Sequence, residues 1–113
     1  MVVHHTESDE SLNQLFRALA DGTRRDILVR SLTETPSVSA LAARYEMSFA
    51  AVQKHVAVLE GARLVTKERR GREQLVRGNV DAVRDACGLL EQLEAVWRGR
   101  IDRFGEVLAD QPK

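Results

Sequence analysis

At 113 residues the chain can enclose one modest hydrophobic core and is too short for two. Hydrophobic residues make up 43% and charged residues 30%, a composition that excludes a disordered chain. Seventeen Lys and Arg balance seventeen Asp and Glu, so any attraction to a polyanion has to come from where the charges sit.

The opening MVVHHTESDE pairs no basic segment with an apolar one, so no secretory leader is expected and a cytoplasmic location is. Residues 1–8 read as a flexible tail in which His4 and His5 are inert rather than metal ligands. Ser8 can cap a first helix, with Asp9 and Glu10 in the first turn where the helix dipole favours anions. Leu12, Leu15, Phe16 and Leu19 then recur at three- and four-residue steps and form one apolar stripe. Asp21 is the next capping residue, and Ile27, Leu28 and Leu32 form the buried side of a second helix ending between Thr33 and Pro36. Ser37 or Ser39 opens a short third helix carrying Val38, Leu41 and Ala42. Ser48 caps a fourth, whose Val52, Val56 and Leu59 keep helical spacing until Gly61.

Two short strands follow, Leu64 to Arg70 and Glu73 to Arg77, because a glycine between extended segments signals a hairpin. Asn79 can cap a last helix over about residues 80–110. Its apolar residues Leu90, Leu93, Trp97, Ile101, Phe104 and Leu108 step by three or four, a near-heptad stripe suited to packing along another helix. Gly88, Gly99 and Gly105 each cost about 1 kcal/mol against alanine in a helix interior, so tertiary or subunit contacts must hold it, and Gly88 invites a kink. No run of residues is apolar enough to span a membrane. The whole is one mainly α (α+β) domain over residues 1–113: about five helices with a two-stranded β-wing, the order of a winged helix-turn-helix.

The charge is uneven along this order. Ser48 to Gly78 holds seven cations against three acids, a net +4, whereas Asn79 to Lys113 carries a net −2. A helix fits the DNA major groove, and a basic hairpin beside it can grip the neighbouring backbone. With Val52, Val56 and Leu59 turned to the core, Ala50, Gln53, Lys54 and Ala57 point away from it. Gln53 can bond a base edge, Lys54 can meet a phosphate, and small alanines let the helix approach closely. The DNA-binding candidates are therefore Ser48, Phe49, Ala50, Gln53, Lys54 and His55 on the helix, and Lys67, Arg69, Arg70 and Arg72 on the hairpin. For Thr23 and Arg24 at the start of the second helix, a phosphate site and ordinary surface solvation both stand. Phe49 keeps three readings: contact with a thymine methyl, packing beneath the preceding turn, or stacking between subunits. His55 serves in packing or at a phosphate.

Three runs, DGTRRDIL (Asp21 to Leu28), VSALAARYEMSFAAVQKHVAVLEGARLV (Val38 to Val65) and the hairpin ERRGREQ (Glu68 to Gln74), resemble the ArsR family of bacterial winged-helix repressors. The resemblance covers about Leu12 to Gly78, and the tryptophan-bearing LEQLEAVWRGRIDRFGEVL looks like the branch that often lacks a metal site. It implies a homodimer built through the first helix (Leu12, Leu15, Phe16, Leu19) and the last (Leu90, Leu93, Trp97, Ile101, Phe104, Leu108). Such a dimer binds double-stranded operator DNA and blocks transcription, often of its own operon. Two recognition helices about a two-fold axis enter successive grooves about 34 Å apart, which predicts a palindromic operator.

Family metal sensors carry thiols at positions matching Ser37 and Ser39, and histidines on the last helix, where this chain has none beyond His55. Cys87 with Asp81 or Asp85 is a poor ligand set, so no metal or other cofactor is expected. Cys87 itself reads as a small buried hydrophobe, with redox sensing the alternative. No glycine-rich phosphate loop, nucleophile–base set or carboxylate pair suggests catalysis, and no catalytic residue is assigned. The competing function is a winged-helix protein–protein interaction module without DNA binding.

Overall fold

The computed structural model describes residues 7–109, in the order α1 (Glu7–Leu19), α2 (Gly22–Thr33), α3 (Val38–Ala42), α4 (Phe49–Gly61), β1 (Val65–Arg70), β2 (Glu73–Gly78) and α5 (Val80–Ala109). His4 and His5 lie outside the described residues. Helix α1 is already formed at Glu7, ahead of the predicted cap at Ser8, so the expected tail of residues 1–8 overlaps it.

Local chemistry explains the helix starts. Asp21 Oδ1 accepts the Arg24 amide at 3.0 Å, Ser37 Oγ that of Ala40 at 3.0 Å, and Ser48 Oγ that of Ala51 at 3.1 Å. Asn79 Oδ1 accepts the Asp81 amide at 3.1 Å. Each cap satisfies one of the donors that the first turn leaves unpaired. At the far end of α1 the job falls to α2: Arg24 Nε donates to Ala18 O at 2.8 Å and its Nη2 to Arg17 O at 3.0 Å, while Arg25 Nη1 reaches Leu19 O at 2.7 Å. Two guanidinium groups thus close the carbonyl end of α1, where the dipole favours cations.

Helix α4 ends in a Schellman arrangement: Leu64 N donates to Leu59 O at 3.0 Å and Arg63 N to Glu60 O at 2.9 Å. The left-handed position of this motif is Arg63, at φ 62°, two residues past Gly61. Leu59 and Leu64 are both fully buried, which is the apolar contact the motif brings together. Asn79 Nδ2 donates to Arg63 O at 2.9 Å and Asn79 N to Leu64 O at 2.8 Å, so the same asparagine that caps α5 ties it to the α4–β1 corner.

The core gathers Leu15 and Ala18 of α1, Ile27 and Leu28 of α2, Val38 and Leu41 of α3, and Val52, Val56 and Leu59 of α4. Ala62, Leu64, Val65, Val76, Ala82 and Ala86 complete it. Two expectations need correction here. Leu32 is 42% exposed, although part of its side chain lies against Gly78 at the end of β2, where an added Cβ would meet Leu32 Cδ2 at 2.6 Å. Leu15, predicted at a subunit interface, is enclosed in the chain's own core.

The strands pair antiparallel with Arg70 opposite Glu73, leaving Gly71 and Arg72 as a two-residue loop. Gly71 takes φ 64° at the first loop position, the type II′ geometry whose twist suits a hairpin. The outer edge of β2 is covered where Val76 N donates to Pro36 O at 2.8 Å and Leu75 bridges Ser37.

Helix α5 runs unbroken through Gly88 for 30 residues, about 45 Å. Ala82 and Ala86 dock it on the core, with Val83 packed beside them. Beyond them it leaves the body of the molecule. The Cα radius of gyration is 19.9 Å, against about 13 Å for a compact chain of this length.

Candidate nucleic-acid interface

The helix-turn-helix is α3, a six-residue turn and α4. Tyr45 in the turn fixes it to α2: its hydroxyl donates to Asp26 Oδ2, to which Arg30 Nε also donates at 3.0 Å. With Val52, Val56 and Leu59 sealed into the core, Ala50, Gln53, Lys54 and Ala57 are all exposed, as their spacing predicted. Phe49, the first residue of α4, is 47% exposed and Val58 42%. Phe49 is not one of the buried residues that form the core. Ser48 is exposed at the helix start with its hydroxyl used as the cap.

The structure places two candidates differently from the rest. His55 is half-buried on the side of α4 that faces α2, with its Nδ1 3.4 Å from Arg24 Nη1. Arg24 meanwhile spends its other nitrogens on the carbonyls of α1. Both are held within the fold, and Arg24 joins three helices instead of extending toward solvent. The start of α2 is already occupied by an anion, since Asp21 takes the Arg24 amide and that bond holds its carboxyl below the ordinary carboxylate range. Thr23 is half-buried beside it. The phosphate-site reading of Thr23 and Arg24 loses its free amide and its free guanidinium.

Side chains alternate across a strand, and directly paired residues share a face. One face of the hairpin therefore carries Val65, Lys67 and Arg69 with Gln74 and Val76. The other carries Glu68 and Arg70 with Glu73, Leu75 and Arg77. Val65 and Val76 are buried at the base of the first face, and Lys67 Nζ lies 3.3 Å from Glu60 Oε1 in the last turn of α4. The face that holds cations and no acid is thus the one adjoining α4. On the other, Glu68 sits between Arg70 Nη2 at 3.4 Å and Arg77 Nη2 at 3.5 Å. These pairs are solvent-exposed and worth about 0–1 kcal/mol, so they do not withdraw the cations from a stronger anion. Arg69 and Arg72 make no ion pair with another described residue.

Arg77 was not singled out from the sequence, although its pairing with Thr66 puts it on the face of Arg70. Cys87 is a correction: it is exposed on α5, not buried, because the helix turns its Ala82 and Ala86 side to the core. Among the described residues no three of His, Cys, Asp and Glu gather as metal ligands would, and no helix is long and apolar enough to cross a membrane.

An exposed helix seated on a three-helix core beside a cationic two-stranded hairpin defines a winged helix-turn-helix domain. No protein-family model matches the chain and no curated protein aligns with it. Solved structures do. An ArsR-like transcriptional regulator from Rhodococcus sp. RHA1 is 29% identical, with 90% of this chain and 96% of that one superposed at a TM-score of 0.78. An ArsR-family transcriptional regulator is 28% identical over 87% of this chain and 97% of its own, at a TM-score of 0.76. A homodimeric winged helix-turn-helix DNA-binding domain from Mycobacterium bovis, 24% identical, shares the fold over 84% of this chain and 90% of its own, at 0.64. The chain has the winged helix-turn-helix fold and is similar to these ArsR-family regulators, as its sequence motifs indicated. The structures it matches are regulators and not enzymes.

Proposed function

We propose that the protein is a homodimeric, sequence-specific DNA-binding transcriptional regulator that acts as a repressor on a palindromic operator. The observation that carries this reading is the continuity of two surfaces. The outward side of α4 offers Ala50, Gln53, Lys54 and Ala57 without obstruction, and the acid-free face of the wing, with Lys67 and Arg69, adjoins its last turn. A helix of that diameter enters the major groove, and wing cations then lie along the flanking phosphates. Arg70 and Arg72 extend the same wing toward its tip.

The second subunit is supported by α5. Leu90, Leu93, Val96, Trp97, Ile101, Phe104, Val107 and Leu108 are 50–71% exposed along the part of the helix that leaves the core. An apolar stripe of that size on an isolated helix calls for a partner. The ArsR-like architecture supports a second copy in that role, with Leu12, Phe16 and Leu19 at the margin of the same contact. Residues 1–113 then act as one DNA-binding unit in the cytoplasm, with α5 as its dimerisation element. Occupation of a site overlapping a promoter excludes polymerase, which is the route to repression. Neutral net charge does not oppose this, since the cations are concentrated on the wing.

Gel shift and footprinting on the DNA upstream of the protein's own gene test the reading. The expected result is a symmetric protected region covering two half-sites about one helical turn apart, with affinity falling steeply as salt rises. Absence of a retarded band at low salt on this DNA and on fragments selected from the source genome overturns it.

A further inference from the structure

Between Phe49 and Val58, six residues of α4 are exposed: Phe49, Ala50, Gln53, Lys54, Ala57 and Val58. Four of the six are apolar. Each base presents its own chemistry in the major groove: guanine takes a bidentate Arg or Lys, cytosine a carboxylate, adenine a side-chain amide, and thymine an apolar group against its 5-methyl. These six positions hold no arginine and no acid. Glu60, one turn further on, is engaged by Lys67 at 3.3 Å. Lys54 is the one group able to address guanine, Gln53 suits adenine, and the remainder suits thymine.

Resting on the DNA-binding reading above, we propose that α4 reads thymine 5-methyl groups, with Phe49 as the principal contact, so that each operator half-site is rich in A·T pairs. Phe49 opens the helix directly after its Ser48 cap, and the N-terminal residues of a recognition helix are the ones that reach base edges. The residue is 47% exposed and is not one of the buried residues of the core, so apolar area is available to a ligand. Gln53 lies one turn along the same side of α4, since residues four apart are neighbours on a helix. The ring and the amide are thereby spaced to take the methyl of one base pair and the adenine of an adjacent one. Ala50 and Ala57 hold no bulk that keeps the groove away. The wing and Lys54 supply the charge that a duplex requires, which an apolar protein partner does not.

The test starts from half-sites obtained by in vitro selection with the full-length protein, followed by replacement of individual thymines with deoxyuridine, which lacks only the 5-methyl. Wild-type protein should lose about fourfold in affinity for each methyl in contact with the helix. Phe49→Ala should bind the thymine site more weakly and become indifferent to the substitution at that position, whereas Phe49→Leu should retain part of the response. Gln53→Ala should keep the deoxyuridine response and lose its preference for adenine. Equal binding of thymine and deoxyuridine sites by the wild type, or selected half-sites rich in G·C, overturns the inference while leaving DNA binding intact. Failure to bind any DNA, with capture of a protein through Phe49 instead, overturns it together with the reading on which it rests.

Discussion

Tyr45 shows how a single hydroxyl positions the recognition helix. It sits in the turn between α3 and α4 and donates to Asp26 on α2, so the turn cannot swing without breaking the bond. The Tyr45 hydroxyl first, and Arg30 second, hold the Asp26 carboxyl below the ordinary carboxylate range. A pKa lowered by folding stabilises the protein fully above the unfolded value of about 3.9, and the stabilisation is lost as pH falls through the folded value. Tyr45→Phe should therefore lower stability at neutral pH by about 1 kcal/mol, below the roughly 1.5–3 kcal/mol of a buried hydrogen bond to a charged group, as suits a half-exposed carboxylate. Urea denaturation across pH checks this: the difference from wild type should shrink as pH drops below about 4. A difference constant down to pH 2 assigns the effect to packing alone. Caps at Asp21, Ser48 and Asn79, and one at Ser37 or Ser39, were legible in the sequence because a cap depends on a residue and its next three neighbours. The inward turn of Arg24 toward His55, 31 positions away, was not, because only the assembled helices decide which nitrogens find carbonyls.

At the scale of an element, the wing divides its labour by strand alternation. ERRGRE announced a hairpin and a charge cluster, yet the split into an acid-free face and a mixed face follows from the register, Arg70 opposite Glu73, which the sequence leaves open by one residue in either direction. The division predicts different behaviour for neighbouring arginines. Arg69, on the acid-free face and outside any ion pair with a described residue, should lower the slope of log affinity against log salt by about 0.9 when changed to alanine. Glu68→Ala, which removes the negative charge beside Arg70 and Arg77, should raise affinity at low salt and steepen that slope. Binding titrations over 50–300 mM salt distinguish the two, and a Glu68→Ala protein that binds more weakly with an unchanged slope counts against the wing lying along phosphates. Val58 is the element-scale counterpart on α4. The outward position of Phe49 in the first turn was legible, but the 42% exposure of Val58 depends on how far the core extends beneath the last turns of the helix, and no periodicity contains that.

For the whole molecule, the governing fact is a helix longer than the core it packs on. Ala82 and Ala86 are buried, while the same side of α5 continues outward through Leu90, Leu93 and Trp97 to Leu108 with each of these residues at least half exposed. The near-heptad steps made this stripe legible. What they could not show is where burial in the chain's own core stops; Leu15 on α1, placed at an interface by the family resemblance, is enclosed in that core instead. The proposed two-fold partner along the distal stripe would couple dimerisation to stability and to DNA binding. Trp97→Glu places a charge in the middle of that stripe without touching the core, so the protein should fold, with its helical circular dichroism largely retained. By sedimentation it should be a monomer at concentrations where wild type is a dimer. The wild-type melting temperature should rise with protein concentration, as linkage requires when folding and association are joined, and that of the variant should not. Operator affinity should fall by about 10²–10⁴, the advantage that two linked half-site contacts hold over one, while binding to an isolated half-site stays near the wild-type monomer's level. A Trp97→Glu protein that remains dimeric moves the interface off the distal stripe, and one that is monomeric yet binds the full operator as wild type does separates DNA recognition from two-fold symmetry.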